Sequence, residues 1–520
     1  MGDVKSTDMS SGQGADKFFN EEFGKFAKEQ LETWKVPGIT VGVVDGEDIF
    51  AEGYGFASLP DKVARADTLW YAGSTTKAHL AAAIAILIDS KKYPQLANGW
   101  STTLSSIMRE DFVLQDEWAT AHLTLEDAVC HRTGFGAYNN PSIREIDGRQ
   151  ATVKEIVRTL RNFPSWHEPR TEFLYCNYMY VVLSHAVETI TGKPLEETLR
   201  ELIWEPLGMK NTYFTVDDAQ KAGNFADGYY FDDKAGEFKW VAPLTLVEVS
   251  GAGAIISSAR DFAKWVKCLV NEDKVFSENV HKDIRNPRSI ARGPSTTGDF
   301  TLYGLGWERT MYKGHVLYKH SGGVHSGSSM AIWLPESKFG VVGFGNTALT
   351  SYAATNALLY RLIDQKLGIP EADRIDFVKE WGSSINGRSK EGEDPVKTVY
   401  KDKGLPEPPL PSPFTTEELV GAYSDPAWGE LTFERRDDGK KVLVASRPEM
   451  TWKWEMGLIH ASGDHWVASI ETTLTPDLPG EYLPAKFVRG PDGKVSELVV
   501  DWLDSSSGKL QCRAVFKRAA

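Results

Sequence analysis

Apolar and polar residues alternate along Ile39-Thr-Val-Gly-Val-Val44 and Ile49-Phe-Ala-Glu-Gly-Tyr54, with Asp45-Gly-Glu-Asp48 between them. That pattern predicts two antiparallel strands joined by a turn. Upstream, Phe18, Phe23, Phe26 and Leu31 predict an amphipathic helix that Pro37 ends. Downstream, Leu80, Ile84, Leu87 and Ile88 recur at i, i+4, i+7 and i+8, one apolar stripe on a helix that begins near Ser74. Helical patterns dominate from 100 to 275, among them 153–162, 178–191 with Gly192 as its stop, and 195–203. Strand patterns return at 314–319, 328–334 and 340–345, and a helix over 352–367 follows. Strands at both ends with helices between them predict an α+β body, its N-terminal hairpin joined to the late strands in one antiparallel sheet.

The periodicity breaks at 382–413, where Ser, Gly and charged residues give way to Pro406, Pro408, Pro409, Pro411 and Pro413. Such a stretch reads as a semi-rigid linker. Beyond it, short alternating segments divided by Asp-Gly and Pro-Gly turns predict about seven or eight strands in a small all-β barrel or sandwich. The expected organisation is a disordered tail over 1–15, a body over 16–381, the linker over 382–413 and the β domain over 414–520. Trp428, Trp452, Trp454, Trp466 and Trp502 are expected to pack inside that β domain.

Composition narrows the class. At 520 residues the chain is too long for one core. A formal charge of −14 argues against nucleic acid or an anionic membrane surface as a partner. No run of apolar residues is long enough to span a membrane, and the polar, acidic start Met1-Gly-Asp-Val-Lys carries no leader pattern, so a cytoplasmic protein is expected. Cys130, Cys176, Cys268 and Cys512 lack paired metal spacing, and no cofactor signature is present, so neither a metal nor a cofactor is expected.

The candidate chemistry starts at Ser74-Thr-Thr-Lys77. A serine at a helix start lies among unpaired N–H groups that favour an oxyanion, and Lys77 lies one turn on, within reach of the hydroxyl as a base. Ser506-Ser-Gly-Lys509 has the same spacing in a Ser/Gly turn, where an N-cap and a surface lysine are the ordinary outcome. In Tyr175-Cys-Asn177 the first and third residues of an extended segment face one cleft, with Cys176 pointing inward. Tyr175 would act as a base if a cation such as Lys77 stabilised its phenolate, and Asn177 would hold Lys77 or a substrate amide. Tyr138-Asn-Asn140 repeats that spacing in a loop and ranks below it. His320-Ser-Gly-Gly323 ends a predicted strand, where His320 would be a donor above the cleft and Gly323 N–H a second oxyanion donor beside Ser74 N–H. His325-Ser-Gly327 leaves the register open, with His320 preferred because it directly ends the strand.

Taken in order, Ser74-x-x-Lys77, Tyr175-x-Asn177 and His320-Ser-Gly322 resemble the three motifs of the serine β-lactamase and penicillin-binding-protein superfamily, over roughly residues 20–370. The Tyr-x-Asn form is similar to the class C branch, with its esterases, D-aminopeptidases and acyltransferases. Leu123-Thr-Leu-Glu-Asp-Ala-Val-Cys-His131-Arg-Thr-Gly also resembles a connecting signature of that branch, and the β domain resembles its lipocalin-like modules. The resemblance implies a β-lactamase-like sheet flanked by helices with a helical insert, and a serine hydrolase. Ser74 would be acylated, Lys77 and Tyr175 would transfer protons, Asn177 would orient, and Ser74 and Gly323 would supply the oxyanion amides. His320 stands where β-lactamases carry lysine, and a mostly neutral histidine suits a substrate carboxylate poorly, which weakens the expectation of β-lactam recognition. A small ester, amide or acyl substrate is therefore expected. Acyl transfer or cyclisation, in which an amine or alcohol takes the acyl group, is the close alternative, and a catalytically silent scaffold the more distant one. The pattern leaves the oligomeric state open.

Overall fold

The computed structural model describes residues 15–386, 394–401, 404–436, 441–478, 480–503 and 510–519. The expected tail lies outside these except for Ala15, which opens a short helix, Ala15–Phe18. Ser506-Ser-Gly-Lys509 also lies outside them.

Gly38–Asp45 pairs on one side with Asp48–Ser58 and on the other with Phe339–Gly345, in register from Ile39 opposite Gly345 to Asp45 opposite Phe339. The hairpin thereby joins the late strands as predicted, in a nine-stranded antiparallel sheet that continues through Gly327–Leu334 and His315–Val324. Helices cover both faces. Ile39, Val41 and Val43 pack with Leu31 of Glu21–Thr33 and with Leu358 and Leu362 of Leu349–Leu367. On the other face Ala259–Asn271 sets Phe262 5.6 Å from Phe344. Every residue of Gly327–Leu334 and Phe339–Gly345 is buried, as burial on two faces requires.

Three expectations change. The sheet extends beyond the predicted strands by Ser289–Arg292, Thr301–Tyr303 and Glu308–Tyr312, edge segments too short and too polar to show alternation. The helical insert also carries the hairpin Gly228–Asp232 and Glu237–Val241, and a small sheet of Leu69–Tyr71, Ile256–Ser258 and Thr212–Tyr213. Thr76–Asp89 shows no single stripe: from Thr76 to Ala85 every residue is buried. Its alanines let neighbours approach on all sides, so the stripe Leu80, Ile84, Leu87 and Ile88 is part of a helix buried on every face up to Ala85.

The C-terminal region closes into an eight-stranded antiparallel barrel. Gly421–Asp425, not predicted because it is short, closes it by pairing with Leu510–Arg518. Tyr423, Phe433, Trp466 and Phe487 fill the interior, with Tyr423 and Phe433 5.9 Å apart and Trp466 and Phe487 5.5 Å apart. Within the expected linker, Pro395–Tyr400 is helical and docks on the barrel, the Tyr400 hydroxyl donating to Trp466 O at 2.7 Å. Among the described residues no helix is long and apolar enough to cross a membrane.

The barrel also meets the insert. Arg144 N–H donates to Glu449 O and Thr451 N–H to Ser142 O, both at 2.8 Å, around an antiparallel bridge of Ile143 with Met450. Trp454 Nε1–H donates to Asn140 O at 2.9 Å. This seam brings Trp452 into the lining of the cavity that Ser74 also lines.

Candidate active site

Ser74 stands on a 3₁₀ turn, Gly73–Thr75, between Leu69–Tyr71 and the buried helix. Gly73 has φ +53°, and a Cβ there would come 2.7 Å from Gly323 N. A Cβ on Gly322 would meet Ala72 O at 1.9 Å. Only glycine at these places lets the Ser74 turn lie flat against the Gly322-Gly323 backbone. The turn is tied by Ala72 O, which accepts from Ser329 Oγ at 2.6 Å and Thr75 Oγ1 at 2.9 Å. Ser74 and Gly323 line one cavity.

Lys77 is wholly buried, its Nζ 3.0 Å from Ser74 Oγ and donating to Ala252 O at 2.7 Å. It lies over the rings of Tyr175 and Tyr180 at 4.9 and 5.2 Å. Burial pushes the amine well below its ordinary range, and no carboxylate among the described residues offsets it. Burial raises the pKa of the Tyr175 hydroxyl, opposed in part by Ser74. Burial thus works against the charged form of both the phenol and the amine. Cys176 is buried, as its inward orientation predicted.

Asn177 begins the helix Asn177–Thr191 and donates from Nδ2 to Asn139 Oδ1 at 2.8 Å; this, and not Lys77, is its observed partner. Asn139 comes from the stretch Tyr138-Asn-Asn140 that ranked lower in the sequence, and it too lines the cavity. Tyr138 donates its hydroxyl to Pro164 O at 2.6 Å.

His320 departs most from expectation. The strand does not end there: His315–Val324 runs on, with Gly322 opposite Ser329 and Gly323 opposite Ser328, so His320 lies within the ladder and is buried. Its Nδ1 is 2.6 Å from Ser321 O, which makes Nδ1 the donor, and Nε2 accepts from the Tyr303 hydroxyl at 3.1 Å. Burial lowers its pKa to about 4, so it is neutral. It is absent from the cavity lining. His325, past the strand end, lies 5.1 Å from the Trp452 ring and is also held near 4 by burial.

Three residues escaped sequence reasoning. Trp452, grouped with four tryptophans that are buried, instead projects from the barrel and lines the cavity. His131, at φ +61°, brackets Tyr175: its carbonyl accepts from Leu174 N–H at 2.9 Å and its Nδ1 from Cys176 N–H at 3.0 Å. Its ring lies 4.4 Å from that of Tyr175. Its presence in the connecting signature was the available signal. Glu248, fully buried, accepts from Thr451 Oγ1 and Gln150 Nε2, each at 2.8 Å, and had none.

A Ser-x-x-Lys turn against an antiparallel sheet, faced by a Tyr-x-Asn segment from a helical insert, is the arrangement of the beta-lactamase-fold hydrolase family. The beta-lactamase family matches residues 23–365, and the chain belongs to that family. It is 34% identical over 487 residues to the unguisins hydrolase ungD' of Aspergillus campestris, covering 93% of this chain and 89% of that one. It is 21% identical over 377 residues to a D-aminopeptidase of Brucella anthropi, covering 71% and 67%. The octameric penicillin-binding protein homologue from Pyrococcus abyssi shares the fold at TM-score 0.58 and 19% identity, covering 95% of this chain and 99% of that one.

Proposed function

We propose that the chain is a serine hydrolase that acylates Ser74 and passes the acyl group of a small ester or amide to water. The carrying observation is the 3.0 Å approach of the buried Lys77 amine to Ser74 Oγ. Burial favours the unprotonated amine, whose lone pair takes the Ser74 hydroxyl proton as Oγ attacks the carbonyl carbon. The oxyanion so formed faces the N–H groups of Ser74 and Gly323. Collapse breaks the bond to the leaving nitrogen or oxygen, which takes a proton relayed from Lys77 through the Tyr175 hydroxyl. Water then attacks the ester carbon and gives its proton to Lys77, which passes it to Ser74 Oγ as the acyl bond breaks and the acid leaves.

Intact-mass labelling with a fluorophosphonate, together with turnover of p-nitrophenyl butyrate, tests this on wild type and Ser74→Ala. One adduct and turnover in the wild type, both lost in Ser74→Ala, are expected. A folded wild type that takes no label and turns over no ester would favour the scaffold reading.

A further inference from the structure

The cavity before Ser74 has an unusual electrical character for a site that handles amides. Val181, Leu246, Val249 and Trp452 give it apolar walls, and Asn139, Asn177 and Ser142 its polar groups. Among the described residues lining it, none carries a charged side chain.

Lys77 and His320, the ionisable groups of the motifs, are engaged elsewhere. Lys77 lies behind Ser74 with its Nζ donating to Ala252 O, and His320 is spent on Tyr303. Lys319, its strand neighbour, points to the other face and donates to Thr297 Oγ1 at 3.0 Å. Glu248 is fully buried behind Thr451, whose hydroxyl separates it from Ser142 and the cavity.

The neutral polar groups are arranged for a different partner. The bond from Asn177 Nδ2 to Asn139 Oδ1 leaves the Asn139 NH₂ and the Asn177 carbonyl oxygen free. A donor beside an acceptor complements the C=O and N–H of a peptide group. By contrast, an α-ammonium or α-carboxylate sits next to the scissile carbonyl, and so within about 4 Å of Ser74 Oγ when that atom is poised for attack. There it would lie in an apolar cavity with no counter-charge.

We propose that this site takes acyl residues with neither a free ammonium nor a free carboxylate beside the scissile bond: end-blocked or chain-internal apolar residues, flanked by peptide groups read by Asn139 and Asn177. This rests on the acyl-enzyme reading above. Cleavage adds water across the C–N or C–O bond and needs no other reactant.

The test compares p-nitrophenyl esters of N-acetylphenylalanine and N-acetylglycine, in both hands for phenylalanine, with their N-trimethylammonium counterparts, charged at every pH. Each rate is divided by the spontaneous one. N-acetylphenylalanylalanine amide against its free acid extends the comparison to the leaving side. The neutral member of each pair should show kcat/KM higher by about 100-fold or more. A ratio below that in the ester pairs, or rejection of every neutral ester while p-nitrophenyl butyrate is turned over, overturns the assignment. Absence of any Ser74-dependent turnover, butyrate included, overturns the acyl-enzyme reading instead.

Discussion

The two walls of the cavity are held in opposite ways. On one side Ser74 sits in a turn pressed between Ala72, Gly322 and Gly323, with Lys77 in a helix buried all round. Any Cβ at Gly73 or Gly322 would collide with backbone, so the geometry is over-determined. On the other side Trp452 is partly exposed and hangs from a short seam, Thr451 on Ser142 and Glu248, with Glu449 accepting from Arg144. The first wall is a core in which charge is suppressed by burial. The second is an interface between two domains, with a titratable carboxyl in it. Reaction chemistry is therefore expected to be robust and specificity adjustable.

The largest test of that contrast removes the base. Lys77→Met keeps an apolar stem in a fully buried position and should lower kcat by about 1000-fold with the fold retained, read by steady-state kinetics beside circular dichroism. Retention of most activity would move the base elsewhere. Next comes His131, which orients Tyr175 without touching substrate. His131→Leu should lower kcat about 10- to 100-fold with KM within about twofold, and His131→Asn should restore most of it. Asparagine tolerates the positive φ at this position and can accept from Cys176 N–H. Equal defects in both variants would reduce His131 to packing.

On the barrel wall the effect should fall on binding. Trp452→Ala should raise KM for the N-acetylphenylalanine ester about 5- to 20-fold while kcat changes less than about threefold. A kcat loss equal to that of His131→Leu would erase the distinction between the walls. The smallest effect on turnover is expected at Glu248. Burial lifts its carboxyl to about 7 from the usual 4.5, opposed in part by its hydrogen bonds and Arg144. The folded chain then holds this proton more tightly than the unfolded one. The stabilisation is complete below about pH 4.5 and lost as pH rises through about 7, roughly 3 kcal/mol in all. The thermal midpoint should therefore contain a component that declines between pH 5 and 7, and Glu248→Gln should remove it. An unchanged slope would place the titration elsewhere.

Much of the first wall was legible in the chain and little of the second. Ser74 and Lys77, and likewise Tyr175 and Asn177, were readable because local spacing sets the separation within each pair, while the packing of the two segments sets Lys77 over the Tyr175 ring. The hairpin and late strands were readable because each is a run of alternating or continuous apolar residues. His320 was misplaced because glycines after a strand ordinarily signal its end, whereas here Gly322 and Gly323 stay paired to admit the Ser74 turn. Asn139 and Trp452 carry no local signature, and each acquires its place from a partner far along the chain, Asn177 for one and the Ser142 seam for the other.

That seam also sets an order of assembly. Ser142 and Thr451 are 309 residues apart, and the barrel that carries Thr451 closes only when Leu510–Arg518 meets Gly421–Asp425. The last strand of the sheet behind Ser74 ends at Gly345, and the helix that covers one of its faces ends at Leu367. During synthesis the cradle of Ser74 can therefore form while the Trp452 side of the pocket has yet to leave the ribosome. A nascent chain, or one shortened before the barrel closes, would hold Ser74 in an open groove that lacks its Trp452 wall.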